Sequence, residues 1–490
     1  MAPQFKFDPP APGSPTTGLI TTTDANNAPT NRAYIYAVCG VASVGGFLFG
    51  YDLSIIGPAL LYLKDAFHLG GAAEGFAMGS AAIGCLFGPW LAVAMSDSWG
   101  RQKALFFAAV FYGLCAAGTA LAGGIAVFDA FRFLGGVGVG LSSVVSPMYI
   151  AEIAPARLRG QLVTINNLAI VVGSFAAILV AYGLAKSNLA GNWRWMFASQ
   201  IVPVIGLMIG LCFVPNSPRW LAQAGRFSEA SAILERVNGK EPAAIELQAI
   251  RESLTSDGGS TSEGGSWSDL FRGGTRRALF IAGGLACLQQ LTGASILFAY
   301  APEVLRNAGF GRQTDAIGAT VFLQIWNIMA TLLAIWMVDR VGRRPLLLVG
   351  VAGMSVGLAS LGLGFQFSFS AFHLFLLLLF AIGTYLISLA PLAWLIMSEI
   401  FPTRLRGKAM ALASFILWGS FYLGVQLFPM LRNYFNDRFQ NMAGVFYLFA
   451  GVCVLALFFC WKMVPETKGR TLEEIAQLWQ PPPAGRGTKL

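Results

Sequence analysis

Residues 45–60 read GGFLFGYDLSIIGPAL and lie inside an apolar run from residue 33 to residue 63, whose single charge is Asp52. A continuous apolar run longer than about 18 residues is typical of a transmembrane helix. An aspartate in such a helix costs about 2.5–3.5 kcal/mol on insertion scales, so it requires a partner, water or a proton. The stretch therefore predicts a membrane span that carries one ionisable group in need of compensation.

The composition extends this prediction to the whole chain. Of its 490 residues, 56% are apolar and 12% are charged, whereas soluble domains contain about 25% charged residues. So little charge does not cover a soluble globule, and we therefore expect an integral membrane protein. The net charge of +9 does not indicate a nucleic-acid partner, because the basic residues lie mostly in short loops between apolar runs.

Twelve apolar runs predict an all-α membrane protein with twelve transmembrane helices in two six-helix bundles. The runs lie near residues 33–63, 74–96, 103–123, 126–150, 161–186, 195–214, 277–305, 315–338, 345–366, 371–400, 407–430 and 441–464. The expected divisions are a disordered cytoplasmic tail (1–31), an N-terminal bundle (32–214), a linker with short cytoplasmic helices (215–276), a C-terminal bundle (277–464) and a second cytoplasmic tail (465–490).

The charged loops predict the orientation of the bundles. Twelve spans place both termini on one side, and the loops on that side are rich in Arg and Lys, so it is the cytoplasmic side. The opposite loops are expected to hold fewer basic residues, namely Lys64, Lys186, Arg194, Arg306, Arg312, Arg432 and Arg438.

Three pairs of matching motifs indicate that the second bundle repeats the first in the same orientation. DSWGR at 97–101 matches DRVGR at 339–343, AEIAPARLRG at 151–160 matches SEIFPTRLRG at 398–407, and PNSPR at 215–219 matches PETKG at 465–469. Parallel repeats of this kind enclose a site at the middle of the membrane in alternating-access transporters.

The repeated charges have two interpretations. Acidic and guanidinium groups at cytoplasmic helix ends can form bridges that hold the two halves together on the inside. They can also serve only as orientation signals, because exposed pairs contribute about 0–1 kcal/mol each. The candidate cytoplasmic gating charges are Asp97, Arg101, Glu152, Arg159, Asp339, Arg343, Glu399 and Arg406.

With these motifs in view, the chain resembles the sugar porter family of the major facilitator superfamily, and in particular its bacterial proton-coupled xylose and hexose carriers. The resemblance rests on the repeated motifs above and on GYD at 50–52, RFLGGVGVG at 132–140, SPMYIAEIAPARLRG at 146–160, PNSPRW at 215–220, QQLTG at 289–293 and PETKGRT at 465–471. It implies twelve helices, a hexose-like or pentose-like substrate and a rocking mechanism.

Asp52 and Arg132 are expected to lie at the same depth. Each is about six residues from the outer end of its helix, which is roughly 9 Å at 1.5 Å per residue. A carboxylate beside a guanidinium stays ionised, whereas one that is separated from it at low dielectric takes up a proton. The resemblance implies that this pair couples transport to protons, and the alternative is a static buried salt bridge.

The candidate sugar contacts are amides and indoles near the membrane centre. Buried amides are costly unless they face a wet cavity, and a sugar needs hydrogen-bonding groups beside an aromatic face. The resemblance supports Gln289, Gln290, Asn327, Trp394 and Trp418, and Pro391 is expected to break the helix that carries Trp394. The alternatives are interhelical hydrogen bonds for the amides and core packing for the indoles.

Three positions depart from the family pattern. Asn167 stands where relatives usually have Gln, Ser295 stands where Asn usually follows QQxxG, and Leu417 stands where some relatives have Gln. Shorter polar side chains make fewer direct hydrogen bonds to a hexose, at about 0.5–1.5 kcal/mol each. Asn167 and Ser295 are therefore candidate contacts for a different sugar or for one bound through water.

These observations lead to one expected function with three alternatives. We expect a sugar–proton symporter that acts as a monomer in the plasma membrane, with a small sugar, a proton and the lipid bilayer as its partners. A passive sugar uniporter, a carrier of polyols such as inositol, and a membrane sugar sensor are the alternatives. An enzyme, a metal and a cofactor are not expected, because no phosphate loop is found, His68 and His373 stand alone, and all seven cysteines lie in apolar runs.

Overall fold

Twelve helices long and apolar enough to cross a membrane dominate this computed structural model, which describes residues 31–187, 189–258, 267–272, 274–401 and 403–468. We number them spans 1 to 12: Arg32–Phe67, Gly71–Trp99, Arg101–Ala120, Ile125–Ile153, Arg157–Lys186, Asn192–Phe213, Thr275–Ala299, Gln313–Val338, Arg343–Gln366, Ala371–Glu399, Leu405–Phe439 and Ala443–Met463. The predicted fold class is confirmed. The predicted tails lie outside the described residues except for residue 31 and residues 465–468.

Three spans are interrupted, although the sequence predicts a break only in span 10, at Pro391. Span 6 consists of Asn192–Ala198 and Ile201–Phe213, and span 10 consists of Ala371–Ile387 and Leu389–Glu399. Span 7 consists of Thr275–Leu291 and Ala294–Ala299, and a further helix, Ala301–Asn307, follows it on the outer side. Each break exposes backbone groups and polar side chains at membrane depth, which is tolerated only where they face protein or a cavity.

The break in span 10 lies three residues before the position expected from Pro391. Ser388 has φ −119° and ψ −88°, outside the helical region, and Pro391 lies inside the second helix of the span. The reason is that a proline ring conflicts with the carbonyl group four residues earlier, so the distortion falls on the preceding turn.

Span 11 is longer than the apolar run from 407 to 430 predicts. Its helix begins at Thr403 and continues to Phe439, with Pro429 inside it. The final turns are polar and therefore escape a hydropathy pattern, but they remain helical. Arg432, which is expected in an outer loop, consequently lies in the helix and is buried.

Short helices join the two bundles on the side assigned to the cytoplasm. They are Pro218–Gln223, Phe227–Asn238 and Lys240–Gly258, followed by a 3-10 turn at Trp267–Phe271. Phe227–Asn238 buries Ala230, Ile233, Leu234 and Val237, so the segment is packed and helical in its described part.

The glycines at 135–140 allow close helix packing, as the sequence predicts. A Cβ atom at Gly136 would lie 1.9 Å from the Ala81 carbonyl oxygen, and one at Gly140 would lie 2.8 Å from the Cα atom of Gly88. Spans 2 and 4 therefore approach each other at backbone distance.

Candidate functional site

Two adjoining cavities occupy the middle of the molecule, between the two bundles. The smaller has a volume of about 350 Å³ and the larger about 990 Å³, within the range typical of small-molecule sites. They share lining residues from both halves, including Phe49, Ile170, Trp394 and Trp418. The larger cavity extends towards the helix ends that the charge pattern assigns to the cytoplasm, where Val338 lines it.

The structure brings all seven predicted sugar-contact residues to these cavities. Gln289, Gln290, Ser295, Trp394 and Trp418 line the smaller cavity, and Asn167, Asn327, Trp394 and Trp418 line the larger. The two indoles therefore stand where the cavities meet. Trp394 is 38% exposed, so its ring faces open space and is not packed in the core. Leu417 lines the smaller cavity as an apolar wall.

Gln289 links the broken helix of span 10 to span 7. Its Nε2 donates to the carbonyl oxygens of Ala390 at 2.8 Å and Leu389 at 3.4 Å, just after the break at Ser388. Its Oε1 is buried and accepts no hydrogen bond within the described residues. The amide is therefore fixed by its nitrogen, while its oxygen lacks a partner beside the cavity.

Gln290 and Ser295 form a second anchored group across the break in span 7. Ser295 Oγ donates to Gln290 Oε1 at 2.7 Å, which leaves the Gln290 amide nitrogen available. The hydroxyl of Tyr385 also interacts with Ser295. Ser295 therefore positions the side chains of Gln290 and Tyr385 beside the cavity. A longer side chain at position 295 would place these two groups differently.

Sequence reasoning missed several polar residues that line the smaller cavity. Thr320 and Gln324 lie on span 8, seven and three residues before Asn327, and Gln324 Oε1 accepts a hydrogen bond from Asn327 Nδ2 at 3.3 Å. Positions three and seven residues apart share a helix face, so this spacing was the available signal. Tyr385 and Ser174 gave no such signal, because each is isolated within an apolar run.

Asp52 and Arg132 pair with each other behind the smaller cavity. Arg132 Nη1 donates to Asp52 Oδ2 at 2.8 Å and to the Asp52 carbonyl oxygen at 3.3 Å, and neither side chain is exposed. Gly50, Leu53 and Ser54 of the same turns line the cavity. Asp52 and Arg132 do not themselves line the cavity, so the pair lies beside it, next to the turns of span 1 that form its wall.

Two further groups hold the Asp52 carboxylate, and sequence reasoning identified neither. Gln200 Nε2 donates to Oδ1 at 3.1 Å, and Cys115 Sγ donates to the same oxygen at 3.5 Å. Gln200 reaches this position because span 6 is broken at that point. The sequence shows that Gln200 is an isolated amide in the sixth apolar run. It does not show that the side chain points towards Asp52.

Arg132 retains unused hydrogen-bonding capacity. Its Nε and Nη2 atoms are buried without acceptors among the described residues, and its guanidinium group lies 5.6 Å from the centre of the Phe197 ring. Asp129 lies one turn earlier on the same helix, and its Oδ1 is likewise buried without a donor there. Arg132 is thus held on one side only, beside a second carboxylate.

The predicted cytoplasmic charges occupy matching positions in the two halves. Arg101 contacts Glu152 at 2.9 Å, and Arg343 contacts Glu399 at 3.4 Å. The repeat extends to the backbone, because each arginine also donates to the carbonyl oxygen five residues earlier in the chain, at 2.9 Å and 3.3 Å. Both pairs join residues of the same half.

The remaining predicted charges have different surroundings. Asp97 is largely exposed and lies 3.7 Å from Arg101, and Arg406 Nη2 donates to the Phe401 carbonyl oxygen at 3.5 Å. Arg159 is exposed and lies close enough to influence Glu246 electrostatically. The side chain of Asp339 is outside the described set.

Glu466 of the PETKG motif closes the start of span 9. Its carboxylate accepts hydrogen bonds from the backbone N–H groups of Arg343, Arg344, Thr467 and Lys468 at 2.9–3.1 Å. Partial burial alone would raise its pKa, but these four bonds together hold the pKa of Glu466 below its ordinary value.

The chain is similar to known proteins over most of its length. The model of the family "Sugar (and other) transporter" matches residues 38–479. The chain is 36% identical to the D-xylose-proton symporter of Escherichia coli K12, over 93% of this chain and 98% of that one. It is 34% identical to the arabinose-proton symporter of Bacillus subtilis, over 92% and 97%. It is also similar to the inward open conformation of the xylose transporter XylE from E. coli, with a TM-score of 0.80, 35% identity, and coverage of 91% and 100%.

Proposed function

Because the chain belongs to the sugar porter family of the major facilitator superfamily, we propose that it carries a monosaccharide and a proton together across the cell membrane by alternating access. It is a multi-pass membrane transporter with twelve spans, and not an enzyme. Two features support the finer proposal: an amide-lined central cavity and the buried pair of Asp52 with Arg132.

The cavity supports a polyhydroxylated substrate. Gln289 Oε1 offers one hydrogen-bond acceptor and Gln290 Nε2 offers one donor. The indoles of Trp394 and Trp418 supply flat apolar surfaces. Sugars combine hydroxyl groups with apolar C–H faces, and this combination of groups suits them. The short Ser295 leaves room for a bridging water molecule or a larger substituent.

The pair of Asp52 with Arg132 is the observation that carries the proton proposal. Two fully buried charges in a membrane span are expensive, so each depends on the other for compensation. When span 1 moves relative to span 4, the carboxylate loses its guanidinium partner and accepts one proton from water that reaches it. When the pair re-forms, the proton leaves on the opposite side.

The mechanism couples the two ligands through span 1. Gly50, Leu53 and Ser54 face the sugar cavity, while Asp52 faces Arg132, Gln200 and Cys115. A sugar that draws the cavity wall inward therefore shifts the turn that holds the carboxylate. The cytoplasmic pairs Arg101–Glu152 and Arg343–Glu399 are proposed to regroup across the two halves when the inner side closes.

Radiolabelled uptake into proteoliposomes tests this function, with D-xylose first in a sugar panel and with or without an imposed pH gradient. We expect uphill accumulation only when the outside is more acidic. Asp52→Asn should abolish accumulation and leave sugar counterflow intact, because the cavity is unchanged while the proton site is lost. Asp437→Asn, an exposed aspartate on span 11, is the matched control and should accumulate sugar normally.

The possible outcomes separate the parts of the proposal. Uptake without any response to the pH gradient would identify a passive uniporter. Full accumulation by Asp52→Asn would exclude this carboxylate from coupling. Transport of inositol in place of aldoses would support the proposed carrier function but contradict the proposed monosaccharide substrate.

A further inference from the structure

Four charged side chains from both halves meet on the outer side of the central cavity. We call them the outer cluster: Lys64 at the end of span 1, Glu74 at the start of span 2, Glu303 in the helix after span 7, and Arg432 in span 11. Glu74, Glu303 and Arg432 are at most 5% exposed, and the side chain of Lys64 is 25% exposed. Sequence reasoning placed both basic residues in loops and assigned no role to either glutamate.

Two ion pairs of the outer cluster cross from one half to the other. Arg432 of the C-terminal half binds Glu74 of the N-terminal half through two parallel hydrogen bonds, Nη1 to Oε1 at 3.0 Å and Nη2 to Oε2 at 2.9 Å. Lys64 Nζ of the N-terminal half donates to Glu303 Oε1 of the C-terminal half at 2.5 Å, so here the cation and the anion come from the opposite halves. A bidentate guanidinium–carboxylate pair is strong and directional, so it fixes how the two halves face each other.

Two further ion pairs of the outer cluster stay within one half. Lys64 Nζ lies 3.1 Å from Glu74 Oε2, and Arg432 Nη1 also donates to Glu303 Oε1. Each half therefore contributes one cation and one anion. If the halves separate, every charge retains a partner of opposite sign on its own side, so opening leaves no buried charge uncompensated.

The surrounding contacts seal the same seam between the halves. A Cβ atom at Gly75 would lie 2.5 Å from the Gln426 carbonyl oxygen, and Gln426 Nε2 donates to the Ala72 carbonyl oxygen at 2.9 Å. Gln313 Nε2 donates to the Leu61 carbonyl oxygen at 3.2 Å. These contacts bring the two halves together around the cluster, and charged interactions are stronger in the low-dielectric surroundings that such packing creates.

We infer that the outer cluster is the latch of the extracellular gate, which closes through its pairs between the halves and opens by breaking them while the pairs within each half remain. This inference rests on the proposed alternating-access function, because a latch needs two states to separate. The alternative is a permanent structural ion cluster that never opens.

External labelling of a cysteine in the central cavity distinguishes a latch from a permanent cluster. Ser54 lines the smaller cavity, so Ser54→Cys reacts with a membrane-impermeant maleimide added outside intact cells only when the outer side opens. We expect Glu74→Gln and Arg432→Gln each to raise the labelling rate at least threefold. Arg438→Gln removes an exposed charge from the same helix and should label at the parental rate. The parent without Ser54→Cys measures the background of the native cysteines.

A charge exchange provides the sharper test. Glu74→Arg combined with Arg432→Glu restores attraction between the halves but places two cations in one half and two anions in the other. This double variant should label more slowly than the Ser54→Cys parent, although each single variant labels faster. Additive effects of the two changes, or parental labelling rates in all variants, would overturn the inference.

Folding failures and functional failures remain distinguishable. If the neutral variants do not accumulate, Arg432→Lys keeps the charge, loses the bidentate geometry and should label about twofold faster; an unchanged rate would refute the latch. Labelling needs neither sugar nor a pH gradient. A responsive latch in a protein that takes up no tested sugar would therefore refute only the proposed function, and proton-driven uptake with unresponsive labelling would refute only the latch.

Discussion

At the scale of single residues, the charges inside the membrane were the most predictable feature. Asp52 and Arg132 stand out because each interrupts an apolar run. Their equal depth allowed them to pair, and in the structure Arg132 Nη1 lies 2.8 Å from Asp52 Oδ2. Gln200 was not predicted, because its contact with Asp52 depends on a break in span 6 that no local pattern announces. Depth follows from counting residues, whereas the direction of a side chain depends on how its helix is interrupted.

Glu303 gives the outer cluster a dependence on pH. Burial and the neighbouring carboxylate of Glu74, against the opposing effect of Arg432 and Lys64, together raise the pKa of Glu303 to about 7. Tyr300, buried one turn earlier on the chain, faces the same charges. An exposed glutamate has a pKa near 4.3, so the closed cluster binds a proton more tightly than an open, hydrated one.

The sign of the expected effect follows from linkage. The state with the higher pKa gains stability as pH falls, so acid stabilises the closed cluster from about pH 7 downward, and the effect is absent well above pH 7. External labelling of Ser54→Cys should therefore slow several-fold, and at most about tenfold, between pH 8 and pH 6. Glu303→Gln should remove this change. Its labelling rates at both pH values also measure how the maleimide reaction itself depends on pH. Faster labelling in acid would contradict the prediction.

At the scale of helices, the sequence predicted which segments cross the membrane but not where they break. Apolar runs specify burial in lipid along their whole length, and the interruptions at Ser388 and Gly293 leave that pattern intact. The outer turns of span 11 show the opposite case, because a polar composition there conceals a continuing helix. A hydropathy pattern therefore does not predict the helix breaks that shape the site. It also does not predict the polar helical turns that carry Arg432 into the outer cluster.

Gly293 is the position where the break in span 7 depends on one residue. Its φ is +90°, and a Cβ atom would lie 2.3 Å from the ring of Phe449. Gly293→Ala should cost about 1–3 kcal/mol of stability from backbone strain alone, and more if the ring cannot move. It should also raise the KM for sugar, because the break aligns Gln290 with Ser295.

Thermal unfolding in detergent and uptake kinetics measure these two effects. Gly451→Ala in span 12 is the control, because nothing lies within 4 Å of the added methyl group. It should unfold at the same temperature or slightly higher, given the better helix propensity of alanine. Equal behaviour of the two variants would show that the break tolerates an ordinary residue.

At the scale of the whole molecule, the internal repeat was predictable because it is written in three motifs in the same register. The structure extends it to geometry, with corresponding arginines, glutamates and carbonyl groups at matching helix ends of the two halves. The outer cluster was not predictable, because Lys64, Glu74, Glu303 and Arg432 come from distant parts of the chain and form no motif. Its assembly depends on how the two halves pack against each other, and the repeated motifs carry no information about that packing.

The two cytoplasmic ion pairs should contribute unequally to stability. The side chains of Arg101 and Glu152 are 5% and 11% exposed, whereas those of Arg343 and Glu399 are 16% and 20% exposed and stand farther apart. Glu152→Gln should therefore cost about 1.5–3 kcal/mol, as expected for a shielded bond between charged groups. Glu399→Gln should cost about 1 kcal/mol or less.

Thermal unfolding of the two variants tests this difference directly, because the positions correspond in the repeat. Glu229→Gln, from an exposed pair on a cytoplasmic helix, is the control and should leave the unfolding temperature unchanged. A larger loss for Glu399→Gln than for Glu152→Gln would show that burial does not govern the strength of these pairs.

The equal and opposite charges that each half contributes to the outer cluster have an electrical consequence. A unit charge that crosses the membrane gains about 2.3 kcal/mol per 100 mV, but a neutral pair that moves as a unit gains nothing. Well above pH 7, where both glutamates are ionised, opening the latch therefore moves no net charge and does not depend on the resting voltage. In the proposed symport, the voltage would then act on the transported proton and would not bias the opening of the outer cluster.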